Sequence, residues 1–315
     1  FLKIKKYIMD YMFIIRGGKM NSNRYKNIRL TKKIEDANCI THSGKFHVDD
    51  VISTIFLSKL KKDVILIRVP TIENINVENK IVYDIGLGEF DHHQKNRNGQ
   101  RKNGIYYSSI GLLWRKFGSK YLEKLKVKNV DKTFQYMDDE LIQYIDATDN
   151  MQTEYLQNKI LPDFIKLCNP EWNENITEDE AFINALKLAD EFWNIYIKHA
   201  IAEVEAIDVI LSRINESKEC YVTFDIEIPY RKAIKFYKEN KVKYIILKSR
   251  REGYEIRTLT DKCQFKNELV QSADINESRR LTGINELIYV DNHAKLCCTE
   301  TLESAIQLIK YNERK

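Results

Sequence analysis

Ile81-Val82-Tyr83-Asp84-Ile85-Gly86-Leu87-Gly88-Glu89-Phe90-Asp91-His92-His93-Gln94 begins as an apolar strand and ends in metal-ligating side chains. Ile81 to Tyr83 read as a short buried strand, Asp84 ends it, and two glycines turn the chain before a carboxylate is set beside two imidazoles. An acid at the carboxyl end of a buried strand is where an open α/β sheet holds its ligand, and Asp with His makes a mixed oxygen and nitrogen metal site. Taken singly, an Asp after a strand is most often a turn residue and a His pair is usually surface. A second cluster upstream weakens that bland account. Thr41-His42-Ser43-Gly44-Lys45-Phe46-His47-Val48-Asp49-Asp50 also follows an apolar stretch, Cys39 and Ile40, and precedes a helix-like run. Four of the six histidines fall in these two short segments.

Working outward, Val51, Ile52, Ile55, Phe56 and Leu60 form a helical stripe across 49–60. Strands are expected at about 38–41 and at 64–67, the latter ended by Pro70. Strands alternating with helices predict a mainly parallel sheet. The polar loop 95–105 carries Lys95, Arg97, Arg101 and Lys102 directly after the two histidines, where a phosphate would bind. Ser108 and Ser109 then open a helix, with Ser as N-cap; such a helix start also holds phosphate. A helix at 133–149 ends Tyr144-Ile145-Asp146-Ala147-Thr148-Asp149-Asn150. Asp146 and Asp149, three apart, share roughly one face and oppose the helix dipole, a cost that a metal role would offset. Residues 168–173 read as a turn, and 178–214 as one or two long helices whose apolar stripe is core packing, with His199 structural.

From about 217 the pattern changes to a second, smaller α/β (α+β) unit. Strands are expected at 221–228, 244–247, 254–259 and 287–290, and helices at 231–239 and 301–310. Lys232, Lys235, Lys238, Lys241, Lys243, Lys248, Arg250 and Arg251 make it locally basic.

Length and composition set bounds on these readings. The 315 residues allow two domains with real cores, at 20–214 and 215–315, after an upstream leader at 1–19 and a functional start at Met20. With 43% hydrophobic and 31% charged residues the chain has an ordinary globular balance. Its net charge of +5 permits a polyanionic substrate without demanding one. The apolar run 7–15 contains Asp10 and is too short to span a bilayer, so no membrane association is expected. Six scattered cysteines without C-x-x-C spacing argue against a disulfide scaffold and a thiolate zinc site, and for a cytoplasmic protein. There is no P-loop and no internal repeat.

His42, His47, Asp49, Asp84, Asp91, His92, His93 and Asp149 are about as many ligands as two divalent metals need. Asp84, between the clusters in sequence, is the natural bridge. Two metals roughly 3.5–4 Å apart suit in-line displacement at phosphorus. Mixed imidazole and carboxylate ligands favour manganese, cobalt, iron or zinc over an all-oxygen magnesium site. Asp91 could hold a ring N–H of a neighbouring histidine.

With these motifs the sequence resembles the metal-dependent hydrolase family of the melanocyte-proliferating-gene protein, which is related to the DHH phosphoesterases. The matching residues are His42 to Asp50, Asp84-Ile85-Gly86, Phe90 to Gln94, Ser108-Ser109-Ile110-Gly111-Leu112, Ile145 to Asn150 and Asn169-Pro170-Glu171-Trp172-Asn173. The resemblance runs from about residue 38 to the C-terminus, specific through 173 and loose beyond 215. It implies an N-terminal parallel-sheet domain carrying two metal ions, usually manganese, and a C-terminal domain that helps bind substrate. Carried over, His42, His47 and Asp84 would hold one metal, and Asp49, Asp84, His92 and Asp149 the other, with Asp146 the alternative to Asp149. His93 would face the scissile phosphate. Two departures stand out. The wider superfamily usually has Asp where this chain has His47. Relatives can also carry a Gly-rich stretch where this chain has Ala294 to Thr299.

The family includes a reported 3′–5′ RNA exonuclease of eukaryotic organelles. The expectation is therefore a dinuclear, manganese-type phosphoesterase, a 3′–5′ exonuclease on RNA or short oligonucleotides. His93 and Asp91 would be catalytic, and Lys95, Arg97, Ser108 and Ser109 would bind substrate. A homodimer is compatible with the sequence. Rival readings are a phosphodiesterase or phosphatase for small nucleotides and a metal-binding regulator without turnover.

Overall fold

Alternation of buried apolar strands with an apolar helix builds a parallel sheet in the first half of the chain. The structure is a computed structural model that describes residues 23–95, 97–155, 160–236, 241–260, 263–266, 269 and 274–314. The expected leader at 1–19 lies outside the described residues. Strands β1 (Arg24–Tyr25), β2 (Ile28–Leu30), β3 (Cys39–His42), β4 (Val64–Val69) and β5 (Ile81–Val82) form a sheet in the order β1-β2-β4-β3-β5. The neighbours β2 and β4, β4 and β3, and β3 and β5 are parallel, and β1 is antiparallel to β2. The first two strands sit in what reads as a polar lead. Buried Ile28 and Leu30 flank exposed Arg29, an alternation too short to register against the charges around it.

A parallel pair needs a crossover, and α1 (Val48–Leu60) supplies it between β3 and β4. Val51, Ile52, Ile55 and Phe56 of α1 are fully buried. The chain thus leaves β3 for β4 on one side, then returns to β5 on the other side of β3. That reversal opens a crevice outside the carboxyl ends of β3 and β5, the place where such sheets bind ligands. His42 is the last residue of β3, and Asp84 follows β5 by two residues.

The helices α2 (Ser109–Lys124) and α4 (Gln143–Asp149) pack beside α1, and α3 (Val130–Met137) packs on α2. The segment expected as one helix at 133–149 is broken by a π-helical turn at Asp138–Ile142, which joins α3 to α4. Such turns are frequent near functional sites. After α5 (Ile160–Lys166) comes α6 (Glu178–Glu216), a single helix. Its Trp193 packs on Phe56 at 5.6 Å between ring centroids and donates from Nε1 to Tyr121 Oη at 3.0 Å, so α1, α2 and α6 share one aromatic core.

Two compact units divide at residues 201 and 202, inside α6. In the second unit, β6 (Tyr221–Phe224), β7 (Tyr244–Lys248), β8 (Tyr254–Thr258), β9 (Leu287–Val290) and β10 (Leu296–Thr299) form a mixed sheet in the order β6-β7-β8-β10-β9. Alternate residues of β7 face opposite cores. Tyr244 and Ile246 pack with Leu308 and Ile309 of α8 (Leu302–Glu313), while Ile245 and Leu247 pack with Ile207, Ile210 and Ile214 of α6. Strand β10 escapes a sequence reading because its buried residues are Cys297 and Thr299 in a Leu-Cys-Cys-Thr run. The polar helix α7 (Ile275–Thr282), in which Ser278 is the one buried residue, escapes for the same lack of an apolar stripe. The helix expected at 231–239 is a 3-10 turn at Ala233–Phe236, with 237–240 outside the described residues. Among the described residues no helix is long and apolar enough to cross a membrane.

Candidate metal centre

The loop after β3 is pinned before it delivers its ligands. Gly44 turns it with φ +86°, a left-handed conformation that costs glycine least. Arg68 of β4, nearly buried, donates to the Gly44 carbonyl at 2.7 Å from within. Asn169 clasps Phe46 from the other side, accepting its N–H at 3.0 Å and donating to its carbonyl at 2.9 Å. His47 is the N-cap of α1, and its N–H donates to Asp50 Oδ1 at 3.0 Å. Acids in a first helical turn also suit the helix dipole. Asp49 therefore enters the site from a rigid helix start and is fully buried.

Asp84 has φ +57°, an uncommon conformation for any residue but glycine, though Asp adopts it more readily than most. Its two oxygens part company. Oδ2 lies 3.2 Å from His42 Nε2, and Oδ1 lies 3.2 Å from His92 Nε2. Each imidazole has its other nitrogen occupied: His42 Nδ1 donates to the Ser43 carbonyl at 3.0 Å and His92 Nδ1 to Asn150 Oδ1 at 3.3 Å. Those acceptors assign the tautomer and leave both Nε2 atoms directed at Asp84. Asp149 Oδ2 lies 3.0 Å and Asp49 Oδ2 3.8 Å from His92 Nε2, and Asp50 Oδ2 lies 3.1 Å from His42 Nε2. Ligand atoms of His42, His47 and Asp84 lie within 4.8 Å of one another, as do those of His47, Asp49 and Asp149. His47 thus belongs to both triads.

The electrostatics of this cluster call for a cation. Burial, then the charges of Asp149, Asp84 and Asp50, hold the Asp49 carboxyl well above its ordinary range. Both Asp49 oxygens are buried without a hydrogen-bond partner, an expensive state for a polar group. Burial disfavours charge on His42 and His92 as well. Their carboxylate neighbours outweigh it and push each imidazole up to about 11. Burial would likewise raise Asp84, yet the hydrogen bonds of the two histidines hold it well below the carboxylate range. A divalent ion would satisfy Asp49 and replace the protons on the imidazoles, so the residues present fit a metal.

Asp91 organises the turn beside this centre. Its Oδ2 accepts from Leu87 N at 2.6 Å, and its Oδ1 accepts from His92 N at 2.7 Å and from His93 Nδ1 at 2.7 Å. His93, held by Asp91 and raised by it, keeps 59% of its side chain exposed, where an incoming anion could meet it. Lys95 is exposed, and Arg97 donates to Asn150 Oδ1 at 3.3 Å. Ser108 and Ser109 are fully buried instead. Ser108 Oγ donates to Asp146 Oδ1 at 2.7 Å, an internal hydrogen bond in place of the expected phosphate contact.

That same hydrogen bond separates the two acids at the end of α4. Asp146 accepts from Gly111 N at 3.1 Å and ion-pairs with Arg101 at 2.7 Å, so it is committed to α2 and the loop before it. Burial still pushes Asp146 up to about 6, against the pull of Arg101. Asp149 is the acid turned to His92. Asp50 and Asn150 thus contact the candidate ligand histidines, Asn169 fixes the loop between His42 and His47, and Arg101 occupies Asp146. Asp50, Asn150 and Asn169 adjoin or lie within the motifs, but no pattern in the sequence announces that their side chains point inward.

The basic stretch of the second unit is partly neutralised. Lys243 pairs with Glu313, and Arg250 with Glu227 at 2.7 Å. A cavity of about 560 Å³ there is lined by Tyr230, Arg231, Arg257, Thr258, His293 and Lys295, among others.

Residues 38–312 match the sequence model MYG1_exonuc, described as uncharacterised protein family UPF0160. The chain belongs to that family. It is 28% identical over 197 residues to MYG1 protein YER156C of Saccharomyces cerevisiae, covering 54% of this chain and 57% of the relative. It is 22% identical over 186 residues to MYG1 protein C694.04c of Schizosaccharomyces pombe, covering 51% and 56%. The MYG1 protein of Dictyostelium discoideum matches at 27% over 171 residues, covering 48% and 51%. The chain spans about half the length of these curated relatives. Among solved structures, a pGpG-specific phosphodiesterase, PggH from Vibrio cholerae, aligns over 87% of this chain and 96% of its own. Its 14% identity and TM-score of 0.30 are too low to carry an argument.

Proposed function

We propose that this chain is a dinuclear-metal-dependent phosphoesterase, a 3′–5′ exonuclease acting on RNA or short oligonucleotides. One observation carries the reading: Asp84 divides its oxygens between two histidines, as a carboxylate bridging two ions does. The orphaned, buried Asp49 supports it, and so does the exonuclease designation in the family's name. His42, His47 and Asp84 would hold one ion, and Asp49, Asp84, His92 and Asp149 the other. Two such ions, when bound, would activate a water and polarise the phosphoryl group.

The chain's own groups, the Ser43 carbonyl among them, do the rest. Ser43 and Asn150 hold the ligand histidines in one tautomer. His93, steadied by Asp91, stands where it can neutralise a phosphate oxygen. Lys95 and Arg97 extend that positive field along the substrate. The test is to incubate purified protein with manganese and a panel of labelled RNA, DNA, dinucleotides and pyrophosphate, to identify products, and to count bound metal. Mononucleotides released from the 3′ end of RNA, with two metals per chain, are expected. Bound metal with no cleaved phosphoester would leave a regulator in place of an enzyme.

A further inference from the structure

The basic side chains around the candidate metal centre fall into two sets. Arg101 is nearly buried and spent on Asp138 and Asp146, and Lys116 is paired with Glu89 at 2.6 Å. Arg97 and Arg115 face no carboxylate within ion-pair distance among the described residues. Each is instead set against an aromatic ring. The Arg97 guanidinium lies 5.0 Å from the Tyr106 centroid, and that of Arg115 lies 4.6 Å from Tyr107. Tyr107 is held in turn by Arg101, 4.3 Å from the same ring. The tyrosines are half-buried and Arg115 is exposed.

An arginine left without an acid yet ordered by a ring keeps most of its donors and one planar face for a ligand. Phosphate oxygens take the donors, and unpaired bases stack on guanidinium planes. Position adds to composition. Arg97 bonds Asn150 Oδ1, the atom that also takes the His92 Nδ1–H, so this arginine adjoins the metal-facing histidine. Arg115 is joined to the same loop through the Asn98 carbonyl at 3.5 Å.

We propose that Arg97 and Arg115, backed by Tyr106 and Tyr107, form a track for single-stranded nucleic acid leading away from the candidate metal centre. The proposal rests on the phosphoesterase reading and names the part of the substrate that reading leaves open, the nucleotides flanking the reacting phosphate. A strand gains from the track and a small phosphodiester does not, so the track selects chain length.

The experiment reads binding and turnover apart. Affinity for a fluorescent single-stranded 12-mer RNA is measured by anisotropy with calcium in place of manganese, across a salt series. Arg97→Gln and Arg115→Gln should each weaken binding about tenfold and flatten the log–log salt dependence by about 0.7 for each phosphate no longer neutralised. Lys120→Gln, which removes an exposed charge from the same helix α2, is the control and should do neither. With manganese, the ratio of kcat/KM on the 12-mer to that on a small activated diester should fall about tenfold in both arginine variants. Metal content and melting temperature show whether each variant is folded. Unchanged affinity and salt slope in two folded arginine variants would overturn the track. If the parent protein binds the 12-mer through these arginines but cleaves no phosphodiester, the track stands and the phosphoesterase reading fails.

Discussion

At the residue scale the centre is a set of charges that only make sense together. An acid whose folded pKa lies above its unfolded value costs stability once the pH exceeds the unfolded value. Asp49 is raised well above its ordinary range, so at neutral pH the protein stripped of metal is strained there. Asp49→Asn should therefore stabilise chelator-treated protein by on the order of 1–3 kcal/mol, read as a higher melting temperature, while abolishing the increase expected of the parent on adding manganese. Thermal scans with and without manganese check both signs; a variant that loses stability in chelator contradicts this account. The adjacent histidines differ in the same way. His92 is buried among Asp84, Asp49 and Asp149, whereas His93 is exposed and touches Asp91. His92→Ala should lower metal occupancy, and His93→Ala should keep the metals and slow turnover by about 10²–10⁴-fold, the usual range for a group acting by proton transfer or charge stabilisation. Equal metal loss in the two variants would mean the pair is wrongly assigned.

At the element scale the packing of α2 on α4 decides which acid faces the candidate metal centre. Gly111 lets the helices approach until Asp146 seats on its N–H. A Cβ there would lie 2.0 Å from Asp146 Oδ2, which is fully buried and has no room to retreat. Gly111→Ala should cost about 1–3 kcal/mol, as overpacking does. Because Asp149 and Asn150 follow on the same helix end, the variant should also bind manganese more weakly. Calorimetric titration of metal alongside a denaturant melt separates the two effects. Loss of stability with unchanged metal affinity would show that the packing of α2 on α4 does not position Asp149.

At the scale of the whole molecule, segments far apart in sequence are tied by a few charges. Asp190 of α6 receives Lys26 at 2.5 Å, Lys59 of α1, and the Tyr25 hydroxyl at 2.9 Å. Burial would raise Asp190, but these partners hold it below its ordinary value. Its stabilisation is therefore present above the unfolded carboxylate pKa of about 3.9 and fades as pH falls through the lower folded value. Asp190→Asn should cost about 1–3 kcal/mol at pH 7, and the gap from the parent should close in acid. Melts from pH 7 down to pH 3 test this; a gap constant across that range would refute the linkage.

Much of the first unit is legible in the sequence, and for a local reason. Apolar runs of period two and of period 3.6 depend on neighbouring residues alone, so β3, α1, β4 and β5 can be read directly. The candidate ligands His42, His47, Asp49, Asp84 and His92 can be picked out by type too, because metal chemistry restricts which side chains occur together, and the fold gathers them in one place. What the chain alone cannot rank is which of two similar acids turns inward. Asp146 and Asp149 share a helix face, and their roles part only when Arg101, Ser108 and Gly111 close on one of them. The same holds for the basic residues. Lys95, Arg97, Arg101 and Arg115 are equivalent as letters, yet folding buries Arg101 between two carboxylates and leaves Arg97 and Arg115 on tyrosine rings. Local pattern is set by covalent order and determines the elements and the inventory of candidate ligands. Charge pairing is set by distances across the fold, so the tertiary structure alone decides which of those charges are spent on acids and which are not.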